Sequence, residues 1–173
     1  MYFPDLGTET MIASGPKVRA VGWLSSAYPF DEGRVEEAVI TKLQTLVADG
    51  WIHVASAGPH LCELCSRVRD ASNVIVPSAD FLYVAPAMVV HYIRDHGYEP
   101  PGAFLRAVLR CPPPPSDAYF AALEPFLDLL SPPGAPMTPK GLARSARLHR
   151  EYLVKRAAMF EAEEGRPKGI FWD

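Results

Sequence analysis

Apolar and polar positions alternate over Lys17 to Leu24 (KVRAVGWL), which predicts a strand after an irregular start from Tyr2 to Pro16. From Arg34 to Ala48 the period changes. Val35, Val39, Leu43, Leu46 and Val47 recur at spacings of three and four, the pattern of a helix with one buried face, and Gly50 stands where a C-cap favours positive φ. Trp51 to Ala57 (WIHVASA) alternates again, with Trp51, His53 and Ala55 on one face, and Gly58-Pro59 ends this second strand. Two short apolar runs, Val74 to Val76 and Phe81 to Val84, flank Pro77-Ser78-Ala79-Asp80 and predict a hairpin. Pro86 suits the first turn of a helix that continues through Ala87 to His96 until Gly97 stops it. A further helix over Gly102 to Arg110 places Phe104, Ala107, Val108 and Cys111 on one side.

The C-terminal third reads differently. Eleven of the 18 prolines lie between Pro100 and Pro139, so short helices there are separated by stiff joints. Ser116 can cap a helix to about Leu130, bent or interrupted at Pro125. Thr138 to Glu164 is a long helical pattern. Leu142, Ala146, His149, Leu153, Ala157 and Phe160 form one stripe, and Lys140, Arg144, Arg147 and Lys155 lie opposite. The expected class is therefore α+β in a single domain: a body over residues 1–112, and a Pro-rich joint with a helical extension over residues 113–173.

Charge and composition narrow the function classes. With 173 residues, 17 Lys+Arg and 20 Asp+Glu, the formal charge of −3 argues against a general nucleic-acid coat, which needs an excess of cations. The basic face of the C-terminal helix is interrupted by Glu151 and followed by Glu161, Glu163 and Glu164, so a solvated face is preferred over a nucleic-acid footprint. No stretch reaches the roughly 18 uninterrupted apolar residues of a membrane span, and MYFPDLGTET lacks the pattern of a leader, so a cytoplasmic, reducing setting is expected. Three cysteines make a poor disulfide framework and a better metal or thiol site.

Chemistry concentrates at Gly58-Pro-His-Leu-Cys-Glu-Leu-Cys65. His60, Cys62 and Cys65 are spaced H-x-C-x-x-C. An extended chain through His60 and Cys62 sends both side chains to one side, and a tight turn to Cys65 brings the second thiolate round to them. Soft thiolates with imidazole favour tetrahedral Zn²⁺. A fourth ligand can come from His91, His96, Cys111, His53 or His149. His91 is preferred, because Asp95, one turn on, can accept the hydrogen bond from its other ring nitrogen. His91 and His96 are about 140° apart round a helix, which argues against both facing one ion. His96 is expected to favour its helix terminus as a cation, and Cys111 to be a buried, inert thiol. The expected set is His60, Cys62, Cys65 and His91.

A redox pair, or two unrelated cysteines, is the alternative reading of C-x-x-C. The first lacks the strand feeding a helix N-terminus that thioredoxin-like chemistry needs. Glu63 can act as a general base only if the ion keeps an open position, so a solvent-facing role is preferred for it. G-x-S-x-G, a Gly-rich phosphate loop, H-E-x-x-H and the zinc-deaminase pattern are absent.

The succession Tyr2-Phe-Pro-Asp-Leu6, Val21-Gly-Trp-Leu24, the His60 to Cys65 segment, Leu82-Tyr-Val-Ala-Pro86, His91-Tyr-Ile-Arg-Asp-His-Gly-Tyr-Glu-Pro-Pro101 and Ala107-Val-Leu-Arg-Cys-Pro112 resembles a family of small bacterial proteins of unknown function. The resemblance implies that His60, Cys62, Cys65, His91, His96 and Cys111 belong to one set, for which a metal is the simplest reason. The order knuckle, hairpin, helix is similar to the treble-clef arrangement. The expected function is a structural zinc protein with a protein partner, of an interaction or immunity type, and a homodimer through the C-terminal helix is possible. A metal-dependent hydrolase or nuclease using the same site, and nucleic-acid binding through the basic helix, are the other readings. The terminal Gly169 to Asp173 is either a docking tail or locally packed.

Overall fold

The computed structural model describes residues 2–51, 59–131 and 136–164. The strand expected over Trp51 to Ala57, His53 within it, and the tail Gly169 to Asp173 lie outside these residues, apart from Trp51 itself. The hairpin forms as its sequence predicts. β4 (Asn73–Pro77) pairs antiparallel with β5 (Leu82–Pro86), with Pro77 opposite Leu82 and Asn73 opposite Pro86. Ser78 closes the turn, its Oγ donating to the Phe81 carbonyl at 2.8 Å and accepting from the Phe81 N–H at 3.0 Å. β1 (Val18–Ala20) adds in parallel on the other side, so β5 is the central strand of a three-stranded sheet, and all its residues are buried. Burial on both faces explains why Leu82 to Ala85 is continuously apolar rather than alternating.

Two expectations fail here. Regular pairing along Lys17 to Leu24 stops at Ala20, because Gly22 takes φ 70° and turns the chain. A Cβ on Gly22 would meet Val89 Cγ2 at 3.1 Å, so the turn also seats β1 against the helix that follows the hairpin. Pro86 ends β5 instead of opening a helix, and α2 (Val89–His96) starts three residues later.

α1 (Glu37–Ala48) buries Val39, Ile40, Leu43 and Leu46 and packs on α2, β4 and α3 (Gly102–Arg110). It ends at Asp49 with φ −104°, the Asp49 N–H bonded to the Thr45 carbonyl, rather than on a left-handed Gly50. α4 (Asp117–Leu123) is capped by Ser116 Oγ on the Tyr119 N–H and passes into a 3₁₀ turn, Glu124–Phe126, at Pro125, as the proline requires. The Tyr119 hydroxyl donates to the Ile75 carbonyl at 2.9 Å and fastens α4 to β4.

α5 (Pro139–Glu164) buries its apolar stripe through its first half among the described residues. Leu142, Ala146 and His149 are buried, Leu153 is half-buried and Ala157 is exposed; the Phe160 side chain lies outside the described residues. Its polar anchors fall on the end of α1. His149 Nε2 lies 2.9 Å from the Asp49 carbonyl, Arg156 donates to the Ala48 carbonyl at 2.6 Å and to Asp49 Oδ1 at 3.0 Å, and Trp51 Nε1 donates to Ser145 Oγ at 2.9 Å. Carbonyls that α1 leaves unpaired are thus met by basic side chains, where the helix dipole favours them. One apolar core runs from Ala20 through Trp23, Tyr92, Phe104 and Tyr119 to Ala146.

Candidate metal centre

The order through the candidate site is knuckle, hairpin, helix, in a mixed α+β fold. The knuckle is a small hairpin of its own. β2 (His60–Leu61) pairs antiparallel with β3 (Arg69–Asp70), and the Cys62 N–H donates to the Val68 carbonyl at 2.8 Å. Between them the chain curls tightly: the Ser66 N–H reaches the Cys62 carbonyl at 2.8 Å and Ser66 adopts φ 56°. This curl aims backbone N–H groups at sulfur, those of Leu64 and Cys65 at Cys62 Sγ and those of Arg67 and Val68 at Cys65 Sγ. The Arg67 and Val68 donors hold the Cys65 thiol below the ordinary cysteine range, while burial pushes the fully enclosed Cys62 thiol up.

α2 supplies the other side. His91 sits in its first turn and His96 is its last residue, followed by Gly97 at φ 66° in the left-handed cap that the sequence predicts. Cys65 Sγ lies 3.4 Å from His91 Nε2, His91 Nε2 lies 3.1 Å from His96 Nε2, and His96 Nε2 lies 3.4 Å from Cys62 Sγ. All four atoms fall within 4.8 Å of one another. Bond lengths of about 2.3 Å to sulfur and 2.0–2.1 Å to nitrogen give a tetrahedron whose S–N edges are about 3.6 Å and whose N–N edge is about 3.3 Å. These three distances are each shorter by only a few tenths of an ångström, and the remaining pairs lie within 4.8 Å, so the residues fit a tetrahedral ion.

The protonation pattern fits too. His91 Nδ1 donates to Asp95 Oδ2 at 2.5 Å, the second-sphere partner expected from the i,i+4 spacing, which leaves the Nε2 lone pair facing the cluster. Desolvation, then the neighbouring His91, lowers the pKa of His96 and favours its neutral, metal-binding form. A cavity of about 360 Å³, lined by Cys65, Arg67, His91, Asp95 and His96 among others, lies beside the cluster.

The structure brings three of the four expected residues into one cluster and not the fourth. His60 is outside the cluster: its ring stands edge-on to Trp23 with centroids 6.5 Å apart, and its Nε2 is buried without a hydrogen-bond partner among the described residues. The same-side argument holds only while the strand continues. β2 ends at Leu61, and the curl turns Cys62 away towards α2. His96 is present instead. The 140° separation treats side chains as radial spokes, but helical side chains lean back towards the N-terminus, and both imidazoles meet the knuckle on one side. Their rings are perpendicular, with centroids 4.8 Å apart. The available signal was Gly97, which by ending the helix at His96 frees that residue from its flank.

The remaining candidates have other partners. Cys111 is buried, its Sγ 3.4 Å from the Pro112 carbonyl, and burial pushes its thiol up to about 12, as expected for an inert core cysteine. His149 is taken by the Asp49 carbonyl. Glu63 accepts from Ser25 Oγ at 2.6 Å and from the Ser26 N–H at 3.3 Å, and the Ser25 bond heads the causes that draw its carboxyl down to about 2. No helix among the described residues is long and apolar enough to cross a membrane.

A family model described as a domain of unknown function, DUF7919, matches residues 1–109. No curated protein and no solved structure matches.

Proposed function

The chain belongs to the DUF7919 family, and from that premise we propose that Cys62, Cys65, His91 and His96 hold one Zn²⁺ as a closed structural ion. The observation that carries this is the tetrahedral spacing of two sulfurs and two Nε2 atoms, one of them with its tautomer fixed by Asp95. Two thiolates and two neutral imidazoles balance the charge of a divalent ion and occupy four positions, leaving none for water or substrate. The chemistry the ion supplies is a cross-link between the knuckle and both ends of α2. We assign residues 113–173 to the same domain as the body, as its extension. The role we assign is protein interaction, of an immunity type, supported by the exposed Leu148, Tyr152 and Met159 on α5, a surface suited to a second copy or another chain.

Elemental analysis of the purified chain should give one zinc per chain, and cobalt replacement should give the visible bands of a tetrahedral site with thiolate ligands. Chain free of metal, with the folding of Cys62→Ser unchanged, would refute the reading. Three protein ligands plus water in an X-ray absorption spectrum would favour a hydrolase or nuclease instead. Nucleic-acid binding has less support, because Arg150 and Arg156 of α5 are spent on Asp117 and Asp49 and Arg147 lies 3.8 Å from Glu151. Light scattering that gives a monomer at all concentrations would remove the homodimer.

A further inference from the structure

A groove of about 500 Å³, within the usual range of ligand pockets, lies between the β4–β5 turn and α3 and shares no residue with the metal centre. Its floor is aromatic. Phe81 and Tyr83 stand with centroids 6.4 Å apart, and Tyr83 packs against Phe104 at 5.7 Å. Its rim is cationic. Arg106 and Arg110, one helical turn apart on α3, line it, and Arg19 stacks over the Phe81 ring at 3.9 Å, held there by hydrogen bonds to the Pro16 and Val18 carbonyls.

Two features leave the groove open to a ligand. Arg106 and Arg110 have no ion pair among the described residues, so both guanidinium groups are free to meet an anion. The α3 dipole accounts for a cation in the last turn, at Arg110, but not for Arg106 a turn earlier. Tyr83 lines the groove with its ring buried, and its hydroxyl, which is not enclosed, has no protein hydrogen-bond partner among the described residues. A phenol is protonated at neutral pH, so this hydroxyl is available as a donor. Against these donors the groove sets one acidic side chain, Asp80. A site of guanidinium and phenol donors on an aromatic floor complements an acceptor-only headgroup with an apolar body.

We propose that this groove binds a small organic anion, an aromatic or apolar group carrying a carboxylate or phosphate, with Arg106, Arg110 and Tyr83 taking the anionic oxygens and Phe81 the apolar part. The two headgroups share one chemistry, and the test separates them.

The experiment is calorimetric titration of the full metal-loaded chain with phenyl phosphate and with benzoate, beside inorganic phosphate and benzyl alcohol. At least one aryl anion should bind at one per chain, more tightly than either control; phenyl phosphate alone assigns a phosphate site, benzoate alone a carboxylate site, and both a general anion site. Arg106→Glu should weaken binding by about tenfold or more, the loss of a charge-assisted pair. Tyr83→Phe should weaken it several-fold. Arg106 is exposed, so its variant keeps the fold, which circular dichroism checks. Failure of both aryl anions to bind, equal binding by inorganic phosphate or benzyl alcohol, or unchanged binding in Arg106→Glu would overturn the proposal. Zinc content decides the metal reading independently of all these outcomes.

Discussion

Replacing His96 by alanine separates the two ligand sets. Structural zinc binding is worth about 10–16 kcal/mol near neutral pH, so each of four donors carries roughly 2.5–4 kcal/mol, or about 10²- to 10³-fold in affinity. His96 Nε2 lies 3.4 Å from Cys62 Sγ and 3.1 Å from His91 Nε2, so His96→Ala removes a donor at the centre of the cluster and should cost that full share. His60→Ala removes a ring packed on Trp23 and a buried nitrogen with no partner among the described residues, and should leave zinc affinity within about twofold while costing about 1–2 kcal/mol in packing. The assay is competition for zinc with a chromophoric chelator, run beside thermal unfolding with and without metal. His91→Ala serves as the reference loss. If His60→Ala releases zinc as readily as His91→Ala while His96→Ala holds it, the knuckle uses the upstream histidine and the geometry argued here is wrong.

Three further outcomes follow. Asp95→Asn, which takes the carboxylate from His91 Nδ1, should weaken zinc binding about 10- to 100-fold by the same competition, without loss of stoichiometry at saturating metal. Gly97→Ala should cost about 1–2 kcal/mol in chemical denaturation, since an added Cβ meets nothing within 4 Å and only the left-handed φ of 66° is strained; a larger loss would point to a clash. Asp5 is held above the ordinary carboxyl range by desolvation, despite bonds from the Gly22 N–H and the Tyr98 hydroxyl. Its folded-state pKa is raised, so its stabilising contribution is complete below the unfolded value and is lost as pH rises through the folded one. Denaturation of the parent chain against Asp5→Asn should therefore show the parent's relative stability falling as pH rises through the acid range, and a flat or rising difference would contradict this.

Much of this was legible wherever the cause is local. The β4–β5 hairpin, α3 from Gly102 to Arg110, the Ser116 cap and the Gly97 stop all rest on turn chemistry or period within a few residues. So does the Asp95 bond to His91, which needs only i,i+4 spacing. Three of the four clustered residues, Cys62, Cys65 and His91, came from residue type and spacing. The fourth did not, because the choice between His60 and His96 turns on where β2 stops and how a helix end meets the knuckle, both of which are tertiary matters. The same holds for Lys17 to Leu24, whose alternation is real but whose pairing is cut by the approach of Val89 to Gly22. On α5 the apolar stripe was visible over its length, yet among its described side chains burial is full only as far as His149 and falls away through Leu153 and Ala157.

The anchoring of α5 on the end of α1 sets an order of events as the chain is made. Trp51 waits for Ser145, and the Ala48 and Asp49 carbonyls wait for Arg156 and His149, partners about a hundred positions further along. The segment matched by the family, 1–109, leaves the ribosome before any of them. Its apolar seam around Trp51 stays open until α5 emerges, so the stretch carrying the Cys/His cluster is complete in sequence long before it is closed in space.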